Sequence, residues 1–253
     1  MVTIVGSGIV GRCWASLFAR ANYNVCIFDI NPDQLAQAQT AVQTMLQKLA
    51  TEGLLNDQEP AVVYARISVA TDLATACSDA IYIQECVPES LPLKQKVFGQ
   101  LCEVVSDSTI LASSTSCLPP SQISESLSRR EQVIVAHPVN PPHYIPVVEV
   151  VQAPWTRQDV IEGTRKILLD LGQAPVLLKK EVNGFIINRL QYALLMEAWR
   201  LVEDGVASPE DVDTAVSQGL GLRWSFMGPF QTIDLNAPEG VLDYCNRYGD
   251  GMY

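Results

Sequence analysis

Two histidines occur in 253 residues, and both lie in or directly after one proline-rich stretch, His137-Pro138-Val139-Asn140-Pro141-Pro142-His143. Prolines fix φ and withhold N–H groups, so the stretch reads as a stiff loop between two apolar runs, Gln132 to Ala136 and Ile145 to Val151. A histidine held at a strand end titrates near neutrality and suits general acid–base work. The competing reading is a histidine that only hydrogen-bonds within a turn. Glu149 is a lone carboxylate inside Val147-Val148-Glu149-Val150-Val151. Buried without a partner it would be costly, and His137 on the neighbouring strand is the natural one. On an edge strand it would instead face water. The hydroxyl cluster Ser113-Ser114-Thr115-Ser116 follows another apolar run. It can bind ligand oxygens or cap a helix before Pro119-Pro120. Asn188 is a polar side chain on an otherwise apolar helical segment. Together His137, Glu149, Ser116 and Asn188 suit hydride transfer from an alcohol. His137 would be the base, Glu149 would orient it, and Ser116 and Asn188 would hold the reacting oxygen. Two histidines without a Cys or Asp cluster make a poor zinc site, so no metal is expected.

These groups need a scaffold and a hydride acceptor. Val2 to Val5 reads as a buried strand and runs into Gly6-Ser7-Gly8-Ile9-Val10-Gly11, then into a helical pattern through Trp14, Leu17 and Phe18. A second strand, Val25 to Phe28, ends at Asp29. Strand, Gly-x-Gly-x-x-Gly turn, helix and an acidic strand tip form the dinucleotide pattern. Gly6 permits the tight turn, Gly8 admits the pyrophosphate and Gly11 allows close packing of helix on strand. The pyrophosphate would sit at the positive end of the helix, and Asp29 would accept the ribose hydroxyls of NAD while repelling the 2′-phosphate of NADP. An ordinary strand–helix turn without a ligand is the plainer alternative. Gln84 to Glu89 follows the strand Ala80 to Ile83, which makes Glu89 and Lys94 candidates near cofactor or substrate, or else a helix cap and a solvated lysine.

Further elements read in order are a helix from Asn31-Pro32 to about Thr51, a polar turn from Gly53 to Pro60, and a strand over Ile67 to Ala70. A helix over Thr156 to Leu171 and a last strand over Ala174 to Lys179 complete the sheet region. From Asn183 the pattern turns wholly helical. Asn183-Gly184 is expected to open a helix apolar nearly all round, buried at a domain or subunit interface. Gly219 to Phe230 is expected to be a glycine-rich turn region. The division is an NAD-binding domain over 1–181 and a helical domain over 182–253.

The net charge of −11 argues against nucleic acid or an anionic membrane surface as partners. Hydrophobic residues at 48% and charged residues at 18% support a sizeable core. Seven scattered cysteines without Cys-x-x-Cys read as reduced thiols. With a strand starting right after Met1 and no long apolar run, a cytoplasmic location is expected.

The stretches Ile4 to Gly8, Gln84 to Glu89, Ser114 to Leu118, Ala136 to Pro142, Asn188 to Ala193 and Glu197 to Glu203 resemble the 3-hydroxyacyl-CoA dehydrogenase superfamily, and its lambda-crystallin branch more closely. The resemblance covers essentially the whole chain. It implies an α/β fold, a Rossmann-type doubly wound sheet followed by a smaller all-α domain. It implies Ser116, His137, Glu149 and Asn188 as active-site residues, and Ile9, Val10, Asp29, Glu89 and Lys94 as NAD contacts, with Asn140 near nicotinamide and substrate. Arg223 stands where that branch has an arginine, suited to a small carboxylate, or packs across a subunit interface. The implied activity is NAD-dependent oxidation of a small anionic hydroxy acid, L-gulonate to 3-dehydro-L-gulonate, by a homodimer joined through the helical domain. A short-chain 3-hydroxyacyl-CoA dehydrogenase, a structural lens-type crystallin and an NAD-binding regulatory module are the alternatives. The second domain is expected to be shortened at its C-terminal end.

Overall fold

The computed structural model describes residues 1–251. Residues Met1–Arg189 and Leu190–Tyr253 form two compact units. The first is built on one eight-stranded sheet of order β3-β2-β1-β4-β5-β6-β7-β8. Its strands are β1 (Val2–Val5), β2 (Val25–Phe28), β3 (Ile67–Ala70), β4 (Tyr82–Glu85), β5 (Ile110–Ser113), β6 (Val133–Pro138), β7 (Val147–Gln152) and β8 (Ala174–Leu178). All pairings are parallel except β6 with β7.

Every residue of β1, β2, β4 and β5 is buried, as short apolar strands covered on both faces must be. Alternate residues feed opposite cores. Val2 and Ile4 join Tyr82, Ala112 and Ile134 on one face, and Val5 joins Ile83, Leu111 and Val133 on the other. The first face is covered by α1 (Ile9–Arg20), α2 (Pro32–Thr51) and α7 (Gln158–Asp170). The second takes α4 (Leu73–Cys77), α5 (Leu91–Val104) and α6 (Pro120–Ser124). The short helix α3 (Pro60–Tyr64) stands at the end of the expected polar turn. Asn31 caps α2, accepting from Asp33 and Gln34 N–H at 3.0 and 3.3 Å, with Pro32 at the first helical position.

From β1 the chain builds outward through β2 and β3, then returns to place β4 on the other side of β1. That reversal opens a crevice at the carboxyl ends of β1 and β4, the place where such sheets hold ligands. A second reversal matters as much. β7 runs antiparallel to β6 and pairs His137 with Glu149. β6 extends through Pro138, so His137 is a strand residue and not part of the loop expected from the prolines. A proline is tolerated at a strand end, where no N–H is required. With β8 on its far side β7 is an interior strand and not an edge, and Glu149 on it is fully buried.

The loop between β6 and β7 packs back on the first helices. Tyr144 OH donates to Glu52 at the end of α2, and His143 lies beside the Cys13 carbonyl and Arg20 of α1. Burial, reinforced by the charge of Arg20 and partly offset by that carbonyl, holds the His143 pKa down to about 4. Its Nε2 has no hydrogen-bond partner among the described residues. The unfolded imidazole, with a pKa of about 6.5, binds a proton that the folded one refuses. This contribution is therefore complete above pH ~6.5 and is lost as the pH falls toward 4, amounting to about 2 kcal/mol by pH ~5. Denaturation curves at the two pH values measure it. His143→Gln should remove this part of the pH dependence, and an unchanged dependence would clear His143 of the role.

Helix α8 (Ile187–Glu203) carries the boundary between the units. It starts four residues later than the sequence pattern suggests, because Gly184 and Phe185 have φ of +75° and +51° and cannot be helical. Nor is it buried: Leu190, Met196 and Trp199 are at least half exposed. The remaining helices are α9 (Pro209–Ala215), α10 (Gly221–Trp224), α11 (Pro229–Asn236) and α12 (Val241–Tyr248). The segment expected as a glycine-rich turn is largely helical, with a π-helical turn over Val216–Leu220 leading into α10. Gly221 has ordinary helical angles: glycine permits a positive φ but does not impose one. Among the described residues no helix is long and apolar enough to cross a membrane.

Candidate active site

The antiparallel register brings His137 Nδ1 to 2.8 Å from Glu149 Oε2. The other oxygen, Oε1, accepts the Ile186 and Ile187 N–H groups at 2.7 and 2.9 Å. These N–H groups have no partner within α8 and carry the positive end of its dipole. Burial alone would raise the Glu149 pKa. The His137 bond and the two N–H donors outweigh it and hold the carboxyl below the usual range. An ionised carboxylate only accepts, so Nδ1 is the nitrogen that carries a proton toward it, and in the neutral ring Nε2 is the one with the lone pair.

His137 lines a cleft of about 200 Å³ together with Val10, Glu89, Lys94, Ser114, Ser116 and Asn140. Asn188 Nδ2 donates to the Ser116 carbonyl at 2.9 Å, fixing the loop that carries this serine. The first unit thus brings together His137, Glu149, Ser116, Asn188 and Asn140. Arg223 belongs to the second unit, where it lies exposed in the last turn of α10. Beneath the cleft runs a hydrogen-bonded chain that the sequence did not reveal. Tyr82 OH donates to Gln84 Oε1 at 2.7 Å, and Gln84 Nε2 donates to Ser114 Oγ at 2.7 Å and to the Ala136 carbonyl at 3.2 Å. A glutamine directly after four apolar residues was the available signal.

Lys94 is also more buried than a solvated lysine. Its Nζ lies 2.9 and 3.0 Å from the two oxygens of Glu85, 3.3 Å from the Val87 carbonyl and 3.7 Å from Glu89. Glu85 additionally accepts from Ser113 OH and Val87 N–H, both at 2.6 Å. Both partners are buried, and Glu85 still has a raised pKa because its desolvation outweighs the ammonium and the hydrogen bonds. The ammonium of Lys94 therefore ties together the ends of β4 and β5 and the start of α5. Glu89, exposed, accepts from Thr115 OH and keeps an oxygen toward Lys94. Glu85 was not singled out from the sequence, although a carboxylate at the tip of a buried strand is itself a signal.

The glycine turn lies at the end of β1. Gly6 has φ +105°, and a β-carbon there would lie 2.8 Å from the Cys86 carbonyl. A β-carbon on Gly11 would collide with the Gly6 carbonyl. The space around Gly8 is open, and α1 begins there with no side-chain cap and no acidic residue in its first turn. The arrangement leaves N–H groups at a positive helix end facing open space, which fits a pyrophosphate. Asp29 Oδ2 accepts Ser7 N–H and Ser7 OH at 2.8 and 2.7 Å, and Oδ1 accepts Asn31 N–H at 2.9 Å. Burial would raise its pKa, but the Ser7 hydroxyl and the N–H groups of Asn31, Ser7 and Ile30 hold it below the ordinary range. Ser7, fully buried, was not recognised from the sequence.

Residues 1–182 match the 3-hydroxyacyl-CoA dehydrogenase NAD-binding domain, and residues 184–253 match its C-terminal domain. The chain belongs to the 3-hydroxyacyl-CoA dehydrogenase family. It is 48% identical to rabbit (Oryctolagus cuniculus) lambda-crystallin over 99% of this chain and 79% of that protein. Identity to the L-carnitine dehydrogenase of Bacillus cereus is 37%, over 96% of this chain and 73% of that one. Among solved structures, 5-formyl-3-hydroxy-2-methylpyridine 4-carboxylic acid 5-dehydrogenase, an NAD+-dependent dismutase, superposes with a TM-score of 0.88 at 31% identity, covering 99% of this chain and 79% of that one.

As a 3-hydroxyacyl-CoA dehydrogenase family member the chain is an NAD-dependent oxidoreductase. The turn fits the cofactor on its own geometry. The uncapped α1 N-terminus suits the pyrophosphate, and the ionised Asp29 suits two ribose hydroxyls. Asp29→Ala should raise the KM for NAD and reduce the preference for NAD over NADP by about tenfold or more. Unchanged selectivity in steady-state rates with the two cofactors would remove Asp29 from ribose recognition.

Proposed function

We propose that this chain oxidises small 3-hydroxy acids with NAD, L-gulonate to 3-dehydro-L-gulonate in particular, with His137 as general base. The observation that carries the proposal is the His137–Glu149 pair on the wall of the cleft that also holds Ser116 and Asn140. With Nδ1 committed to Glu149, Nε2 is the nitrogen left for a substrate hydroxyl. NAD, when bound, supplies the acceptor for the hydride leaving the carbinol carbon. His137 Nε2 takes the hydroxyl proton in the same step, and Glu149 stabilises the resulting imidazolium. Ser116 and Asn188 position the oxygen and its loop. Glu89, Lys94, Ile9 and Val10 are assigned to the cofactor side, and Asn140 to the neighbourhood of nicotinamide and substrate. Arg223 is assigned to the substrate carboxylate.

L-Gulonate is favoured because the resemblance to the lambda-crystallin branch includes Arg223 and because the L-carnitine relative also acts on a hydroxy acid. The family itself supports a second substrate, a short-chain 3-hydroxyacyl-CoA. Assays with NAD and either L-gulonate or 3-hydroxybutyryl-CoA separate the two. Turnover of L-gulonate is expected, and turnover of the thioester alone would transfer the assignment. His137→Ala should lower kcat by about two orders of magnitude or more while NAD affinity stays nearly constant. A near-wild-type rate would take His137 out of the chemistry.

A second copy of the chain is assigned to the apolar residues of α8, whose Leu190, Tyr192, Leu195, Met196 and Trp199 are exposed. Sedimentation equilibrium at micromolar concentration should give twice the chain mass. A monomer there would overturn the assignment.

A further inference from the structure

We propose that Phe185 is a positioning residue for the general base. The left-handed turn it forms with Gly184 aims two backbone N–H groups at Glu149, and its ring seats the His137 imidazole. The proposal rests on the assignment of His137 as the base.

Phe185 has φ +51° directly after Gly184 at +75°. The other non-glycine residues at positive φ among the described residues are Asn22, Asn56 and Asp57. Those have short polar side chains that tolerate the left-handed region, whereas a phenylalanine there crowds its β-carbon against the backbone. The residue is not on a loose loop. It is fully buried among Val135 of β6, Val151 of β7 and Leu178 of β8. Its ring centroid lies 5.9 Å from that of His137, with the planes inclined at 55°.

The backbone consequence is specific. Phe185 N–H bonds to the Val182 carbonyl at 3.1 Å, closing the turn. The next two N–H groups, of Ile186 and Ile187, then converge on Glu149 Oε1. Successive N–H groups in such a turn form a concave anion site, and here the anion is the carboxylate that orients His137. Asn188 follows immediately and reaches the Ser116 carbonyl. One strained turn therefore sets Glu149, His137 and Asn188 at once. Glycine at 185 would adopt the same φ without crowding, but it would leave room behind the imidazole for water to compete for the Nδ1–Glu149 bond. The ring accounts for a bulky residue at a position whose backbone suits glycine.

Only two histidines occur in the chain, so 15N-histidine NMR of the full-length protein resolves each ring. The His137 signals are identified by their loss in His137→Gln. Near neutral pH the wild-type Nδ1 proton should be shifted downfield and slow to exchange. In Phe185→Gly that proton should exchange rapidly, and kcat with NAD and L-gulonate should fall by about tenfold or more. The KM and the NADH dissociation constant should stay within about twofold of wild type, since the cofactor turn is untouched. Phe185→Leu, which retains apolar bulk, should restore most of the loss. A purely structural role would lower the melting temperature without moving the Nδ1 proton. A wild-type Nδ1 proton in folded Phe185→Gly overturns the proposal, as does absence of the protected proton in the wild type. If the glycine variant does not fold, Phe185→Asn decides, because asparagine tolerates the same φ and lacks the ring: Nδ1 exchange faster than wild type supports the proposal and an unchanged rate overturns it. The NMR readout needs no turnover, so it stays separate from the rate of His137→Ala, which judges the base assignment itself.

Discussion

The antiparallel junction between β6 and β7 is the constraint on which the site depends. The five parallel pairings from β3 to β6 and their helices build the crevice-bearing part of the sheet, but parallel strands alone would not set Glu149 opposite His137. The reversal makes them register partners, with the carboxylate fully buried. A buried carboxylate must be paired and hydrogen-bonded. Glu149 meets that demand with one imidazole and two backbone donors, so the requirement that orients His137 also anchors the start of α8.

A second buried pair plays a parallel part on the cofactor side. Glu85 and Lys94 join the ends of β4 and β5 to the start of α5, and they do so beneath the wall formed by Ser114, Ser116 and Glu89. Burying both charges is expensive, and the pair is tolerable because Ser113 and Val87 fill the remaining acceptor positions on Glu85. Its contribution is geometric: three segments distant in sequence cannot drift apart without stranding a charge.

The parts of the fold governed by local rules were readable. The helix predicted from Asn31-Pro32 to about Thr51 spans Pro32–Thr51, because its cap, N1 proline and apolar period are all local. The glycine turn was readable for the same reason, as was the pairing of His137 with Glu149, since a lone carboxylate in an apolar strand demands a partner. Glu85 with Lys94 and Gln84 with Ser114 were not readable, because each pairing joins separate segments through the tertiary fold. The positive φ of Phe185 escaped because phenylalanine carries no local signal for it. Helix α8 illustrates a different limit. Its apolar composition says that something should cover it but not what. The segment Gly219 to Trp224 illustrates another, since glycine content suggested a turn where neighbouring apolar residues sustain a helix.

The Ser7–Asp29 contact carries a kinetic meaning. Asp29 accepts hydrogen bonds from Ser7 and Asn31 of its own chain. The ordering of that side chain is thus completed during folding, and cofactor arrival has little left to immobilise. Under the assignment of Asp29 to the ribose, the acceptor is in place beforehand, so capture would resemble a key entering a cut lock. Differences in affinity among nucleotides at this end should therefore be expressed in how long each stays rather than how fast each arrives.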